Sequence, residues 1–285
     1  MNILELAHLN REQFKQVQDL QQLVYQKHHA SPPVYWHIVR RIRPVTCNIL
    51  CYHGKTLIGF VSRFLFHPGE TELCMLIHPK FEDPKFVLQM LYPLLKYIPL
   101  DYRKKLIIPC PHDQRPLIKP EANWQISHHS YYLKWQGIAK KPLPNPELMI
   151  DKAKIEDYEQ ACQILKTCFP NGTDMTIDIF QNIIQDTFTH LYTLRDSDTL
   201  LGLIQVNQEG ASYRFSDLCI RPDYQRLKLG AYLLNSILCK FMQRQKPIVL
   251  EVDSNNAAIY AWYQRLGFKT INTRDFWYGT FQEIF

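Results

Sequence analysis

The chain has 285 residues, 46% hydrophobic and 21% charged, which is a globular composition long enough for two ordinary domains and excludes a disordered chain. No apolar run approaches membrane-spanning length, and the opening Met1-Asn2-Ile3-Leu4-Glu5-Leu6 lacks the basic start and apolar stretch of a signal peptide, so a cytoplasmic protein without membrane contact is expected. The net charge of +6 is uneven: residues 1–148 hold 19 Lys and Arg against 11 Asp and Glu, whereas residues 149–285 hold 14 against 16.

From residue 10 to 29, Phe14, Val17, Leu20 and Val24 recur at spacings of three and four, which predicts an amphipathic helix. Ser31-Pro32-Pro33 ends it, and a short helix over 34–43 precedes Pro44. Strands over 47–52 and 57–66 flank His53-Gly54-Lys55-Thr56, a hairpin signal. A strand over 72–78 closes at Pro79, a helix interrupted by Pro93 spans 86–97, and a buried strand covers 106–110. Closing strands are expected over 124–135.

The second half repeats this order. Helices are expected over 155–169 and 176–186, and a hairpin over 191–195 and 200–207 around Asp196-Ser197-Asp198-Thr199. A third strand over 211–220, a helix over 225–245 and a strand over 248–252 follow. The pattern predicts a tandem duplication with a period near half the chain. The segment 137–148, with Pro142, Pro144 and Pro146, is the expected linker between domains 1–136 and 149–285. The basic excess falls in the first domain and hints at an acidic partner such as nucleic acid, although no dense Lys/Arg run supports it.

The eight cysteines are scattered, with no Cys-x-x-Cys pair, so reduced core thiols are expected rather than disulfides. His28-His29, His128-His129 and Cys110-Pro111-His112 lack zinc-type spacing, and no metal site is expected.

The stretch 216–234 carries the strongest signal. Alternation places Tyr213, Phe215, Asp217 and Cys219 on one strand face and Ser216, Leu218 and Ile220 on the other. Pro222 stops the strand. Leu227, Ala231, Leu234, Leu238 and Phe241 then recur at helical spacing, with Gly230 in the first turns. A helix start offers free N–H groups and a positive dipole end, and Arg226 and Lys228 add charge there. Together these features predict a phosphate or pyrophosphate cradle.

The run Ile220-Arg221-Pro222-Asp223-Tyr224-Gln225-Arg226-Leu227-Lys228-Leu229-Gly230-Ala231 resembles the acyl-CoA-binding motif of the GNAT acetyltransferase superfamily, written Gln/Arg-x-x-Gly-x-Gly/Ala. Leu250-Glu251-Val252-Asp253-Ser254-Asn255-Asn256, with Tyr260, Trp262, Tyr263 and Gly267-Phe268 beyond it, resembles the family's second motif. Order and spacing match over about residues 149–285, and the motifs are similar to those of ribosomal-protein N-terminal acetyltransferases. One departure is Lys228, which stands where the first motif glycine is expected.

The resemblance implies an α/β fold of two tandem GNAT-like domains, each a mostly antiparallel sheet flanked by helices. It implies acetyl-CoA as co-substrate and a primary amine, on a small molecule or a protein N-terminus, as acceptor. The diphosphate would rest on Gln225, Arg226, Leu227, Lys228, Leu229, Gly230 and Ala231, and the pantetheine arm on Asn256. The oxyanion donor would be a backbone N–H near Leu218, Cys219 or Ile220. Tyr263 would protonate the departing thiolate, and Glu251 would be the general base. Glu251 interrupts an apolar strand, where partial burial would raise its pKa toward neutrality. Asp217 also interrupts an apolar strand and is its rival, and His190 is the second half's one histidine. The first domain resembles a degenerate copy. Its loop Lys80-Phe81-Glu82-Asp83-Pro84-Lys85 has no glycine and carries two carboxylates, which repel a diphosphate. Two other readings remain open: a CoA-binding scaffold without catalysis, motivated by Lys228, and an RNA-linked aminoacyl-transfer module using the basic half.

Overall fold

The computed structural model describes residues 1–41, 43, 45–119, 121–138, 141–143, 145–170 and 175–285. Contacts divide the chain into two compact units. One is Met1–Tyr131 with Asp253–Ala257 and Asn272–Phe285; the other is Tyr132–Val252 with Ala258–Ile271. Of the expected linker, Ala139, Lys140 and Pro144 lie outside the described residues. Among the described residues, no helix is long and apolar enough to cross a membrane.

The first unit opens with β1 (Asn2–Leu6), α1 (Arg11–His28) and α2 (Trp36–Val39). The start of α1 is fixed by a reciprocal cap: Gln13 N–H donates to Asn10 Oδ1 at 2.8 Å, and Asn10 N–H to Gln13 Oε1 at 2.9 Å. Val17, Leu20 and Val24 are its buried face, as the spacing predicts. Next come β2 (Asn48–His53), β3 (Thr56–Phe64), β4 (Glu70–Ile77), α3 (Pro84–Leu95), β5 (Lys105–Pro111) and β6 (Gln125–Trp135), whose residues from Tyr132 on belong to the second unit. The first four strands are antiparallel in order, and β5 joins β4 in parallel. One sheet face packs Leu50, Phe60 and Leu76 on α1; the other packs Ile49, Val61 and Met75 toward Val87, Met90 and Leu94 of α3. The α3 helix runs through Pro93, which falls in its last turn.

The second unit repeats the plan with β7 (Leu148–Lys152), α4 (Tyr158–Cys168), α5 (Ile177–Gln185), β8 (Thr189–Asp196), β9 (Thr199–Glu209), β10 (Ser212–Ile220), α6 (Leu229–Met242), β11 (Ile248–Asp253) and α7 (Ala257–Arg265). Here β7, β8, β9 and β10 are antiparallel neighbours, and β11 joins β10 in parallel. Leu233, Leu234, Ile237, Leu238 and Phe241 form the buried stripe of α6. Each such side chain contributes about 1.5–3 kcal/mol by leaving water. The Phe241 ring lies 4.8 Å from Tyr213 and 6.0 Å from Phe215.

The chain ends with β12 (Phe268–Thr280) and α8 (Phe281–Ile284). From Arg274 to Thr280, β12 pairs antiparallel with β5, and Trp277, Phe281 and Ile284 complete the first unit's core. The α/β class and mostly antiparallel sheets agree with the expected fold.

Three expectations are corrected. The helix predicted over 225–245 begins at Leu229, because Arg226 and Lys228 both adopt positive φ. Leu227 therefore lies outside the apolar stripe and is 62% exposed. The strict alternation along β10 fails at Asp217, which is exposed while Cys219 and Ile220 are both buried.

Candidate functional site

The parallel strands β10 and β11 pair only at Tyr213↔Ile248 and Arg214↔Val249, although β10 continues to Ile220 and β11 to Asp253. Beyond those pairs the strands part. On its other edge β10 pairs with β9 as far as Ser216↔Gln205 and resumes at Cys219↔Leu203. Asp217 and Leu218 thus face Ile204 alone, a β-bulge, and Asp217 takes φ 52 within it. Asp tolerates the left-handed region better than most residues. Gly202 of β9 stands against the bulged strand: a Cβ there would lie 2.6 Å from the Cys219 carbonyl oxygen.

After β10, Pro222–Tyr224 makes one 3-10 turn, and Gln225 Nε2 donates to the Ile220 carbonyl at 3.0 Å. Arg226 and Lys228 then take φ 64 and φ 62. Lys228 is the N-cap of α6 and supplies no side-chain cap. The first bond into the helix runs from Tyr232 N–H to Lys228 O at 3.0 Å. Among the described residues, the main-chain N–H groups of 226–231 have no hydrogen-bond partner. These donors sit at the positive end of the helix dipole, beside the exposed side chains of Arg226 and Lys228. Such an arrangement suits an anion. Lys228 holds the left-handed backbone conformation that a glycine would take, and its side chain is exposed. Gly230 packs at ordinary contact distance: a Cβ there would lie 3.6 Å from Ile220 Cγ1 and 3.9 Å from Trp262 Cζ2.

Tyr263 of α7 lies with its ring 4.8 Å from Trp262 and 5.4 Å from Phe268. Burial pushes its phenol well above the ordinary value, and the Asp217 charge raises it further. The two residues therefore share one electrostatic neighbourhood, which their separation in sequence does not announce. Glu251 is differently placed. Its side chain is 11% exposed, and its Oε2 accepts from the Arg214 guanidinium at 3.0 Å. Arg214 is not predictable from sequence as the partner of Glu251, since that pairing depends on the register of two parallel strands.

Cys219 lies beside Cys168 of α4, whose Sγ also approaches the Ile220 carbonyl at 3.4 Å. The hydrogen bond between the two thiols lowers the pKa of Cys168 and raises that of Cys219. His190 keeps other company: Lys152 Nζ is 3.4 Å away, and the Tyr192 and Phe241 rings flank it. Burial, then Lys152 and Arg244, lower its pKa. Asn256 is exposed, precedes α7, and donates its main-chain N–H to Asp253 O at 2.9 Å. It falls in the segment Asp253–Ala257, which belongs to the first unit.

Residues 158–277 match the family model of the acetyltransferase (GNAT) domain. The structure is similar to that of a tandem GNAT protein from the clavulanic acid biosynthesis pathway, at 13% identity and a TM-score of 0.71, covering 98% of each chain. It is also similar to a GCN5-related N-acetyltransferase from Sphaerobacter thermophilus, at 10% identity and a TM-score of 0.70, covering 98% of this chain and 96% of that one. At such identities the likeness is one of fold. No curated protein matches the chain in sequence. Residues 158–277 are therefore similar to a GNAT acetyltransferase domain, within a fold that the chain shares with a tandem GNAT protein.

Proposed function

We propose that the second unit transfers an acetyl group from acetyl-CoA to a primary amine, carried by a small molecule or a protein N-terminus. The observation that carries this reading is the row of unpartnered amides at 226–231, at the start of α6 and next to the end of β10 where it has left β11. A diphosphate fits those donors and the cations Arg226 and Lys228. The thioester arm would run along the parted strands, with the backbone near Leu218 as oxyanion donor.

The acceptor nitrogen attacks the thioester carbonyl carbon, the C–S bond breaks, and the leaving thiolate takes the Tyr263 proton. Burial keeps the Tyr263 phenol protonated at neutral pH, so it holds a proton to give, while its raised pKa makes it a weaker acid than an ordinary phenol. We assign the amine's proton to Asp217, which shares the electrostatic field of Tyr263, rather than to Glu251. The Arg214–Glu251 pair then acts as a positioning element that fixes the strands where they diverge.

The test is calorimetric and chemical. Acetyl-CoA at millimolar concentration should raise the Tm by mass action, and an amine panel should include acceptors that release free thiol. Absence of a Tm shift would sink the cofactor assignment. A shift without thiol release on any amine would point to a CoA-binding protein instead.

A further inference from the structure

In the first unit, three neighbouring strands bring two imidazoles onto one buried carboxylate. The strand order there is β5-β12-β6. His112 follows β5, Asp275 lies on β12 in register with Cys110, and His129 lies on β6. Asp275 Oδ1 lies 2.8 Å from His112 Nδ1 and 2.7 Å from His129 Nδ1. The three ligand atoms lie within 4.8 Å of one another. The imidazoles meet at 84°, with centroids 5.8 Å apart. Asp275 is 2% exposed by side chain, while His112 and His129 are 48% and 40% exposed, so a buried carboxylate lies beneath two imidazoles that reach solvent.

We infer that His112, His129 and Asp275 bind a divalent transition-metal ion of the zinc class, one ligand from each, with the remaining positions open to water. The donor set is two imidazole nitrogens and one carboxylate oxygen, which suits zinc, cobalt or nickel and not the oxygen-seeking magnesium or calcium.

The surroundings are those of a ligand shell. Asp113 N–H donates to Asp275 Oδ2 at 3.0 Å, which turns the other carboxylate oxygen toward the histidines. Asp113 Oδ1 stands 3.5 Å from His112 Nε2, on the far side of that ring, where metal-bound histidines place a carboxylate. Ser254 holds the His129 backbone in both directions, at 3.2 Å and 2.8 Å. The neighbouring His128 stacks instead on Phe276 at 4.3 Å. Metal bonds of about 2.0–2.2 Å require donor atoms to stand somewhat farther apart than hydrogen-bonded ones. Two hydrogen bonds to Asp275 are replaced by three coordinate bonds; each neutral imidazole carries its proton on Nε2 in the metal-bound form, and a charged one releases its second proton to water.

The test uses the full chain, stripped with a chelator and dialysed. Titration with zinc sulfate should show one tight site per chain. Cobalt should give a visible d–d absorption band at the same stoichiometry. His112→Ala and His129→Ala should each weaken zinc by about 10-fold or more and abolish the cobalt band. His28→Ala, in the same unit but paired with Glu82, should leave both unchanged. Far-UV circular dichroism checks the fold of each variant, and the histidine variants serve where Asp275→Asn fails to fold. Zinc binding of equal strength in wild type and in the His112→Ala/His129→Ala double variant would overturn the assignment, as would zinc binding no tighter than magnesium.

Discussion

In the first unit β4 leaves β5 after Glu72↔Ile107, just as β10 leaves β11 after Arg214↔Val249 in the second. Gly59 stands opposite Ile77, the last residue of β4, and Gly202 opposite Ile220, the last residue of β10. The frame is therefore shared, but the turns that follow differ. In the first, Asp83 accepts the Lys85 N–H at 3.0 Å, and Pro84, at the start of α3, has no N–H to offer. Glu82 is engaged by Lys27 at 2.9 Å and His28 at 2.6 Å. β4 also pairs with β3 without a register shift, whereas β10 carries its bulge. Parted strands belong to the fold, while an anion site depends on whether the next helix is capped from within. The carboxylates of the first loop do more than repel a diphosphate: one fills the helix mouth and the other ties down α1.

The largest expected contrast is catalytic. Tyr263→Phe should lower turnover by about 100-fold or more while keeping the acetyl-CoA shift in Tm, because a proton donor is lost and no binding group is. Asp83→Ala in the first unit should leave turnover unchanged. Similar loss in both variants would mean that the two turns are not functionally distinct.

The paired glycines give the next contrast. Gly202→Ala should cost about 1–3 kcal/mol in urea unfolding, since the Cys219 carbonyl is backbone and cannot step aside. Gly59→Ala should cost less, because the added methyl meets the flexible end of Met90. Equal costs would show that the second unit's bulge does not constrain β9.

Acid should weaken the first unit through Glu82. Burial raises its pKa, but the hydrogen bonds from His28 and Lys27 outweigh this and leave it lowered. A carboxyl with a folded pKa below its unfolded value stabilises above the unfolded value, near ~4.3, and the contribution is lost as pH falls through the folded one. Stability of wild type should therefore converge on that of Glu82→Gln below about pH 4 in thermal melts.

The smallest effect belongs to Lys228→Gly. Relief of the left-handed conformation is offset by the greater freedom of glycine in the unfolded chain, so Tm should rise by the equivalent of under about 1 kcal/mol. Acetyl-CoA should bind a few-fold more weakly for want of one cation. Tighter binding would mean that the lysine obstructs the cradle.

Periodicity made most helices and the two hairpins legible, because those signals are local. Asp217 was legible as a carboxylate interrupting an apolar strand, but its bulge was not: period-two reading assumes an unbroken ladder, and the break depends on β9. Arg214 as the partner of Glu251 was hidden for a similar reason, since only the β10–β11 register brings them together. The convergence of His112, His129 and Asp275 was invisible because the three are 17 or more positions apart in sequence and meet only through strand order. The strand β12 gave no clear signal either; its partner β5 lies far upstream.

That last pairing governs the order in which the molecule can be finished. Trp277, Phe281 and Ile284 fill the core of the first unit, and Arg274 to Thr280 cover the edge of β5. During synthesis the nascent chain must hold that edge open until the residues after Asn272 have emerged. The half made first is thus completed last.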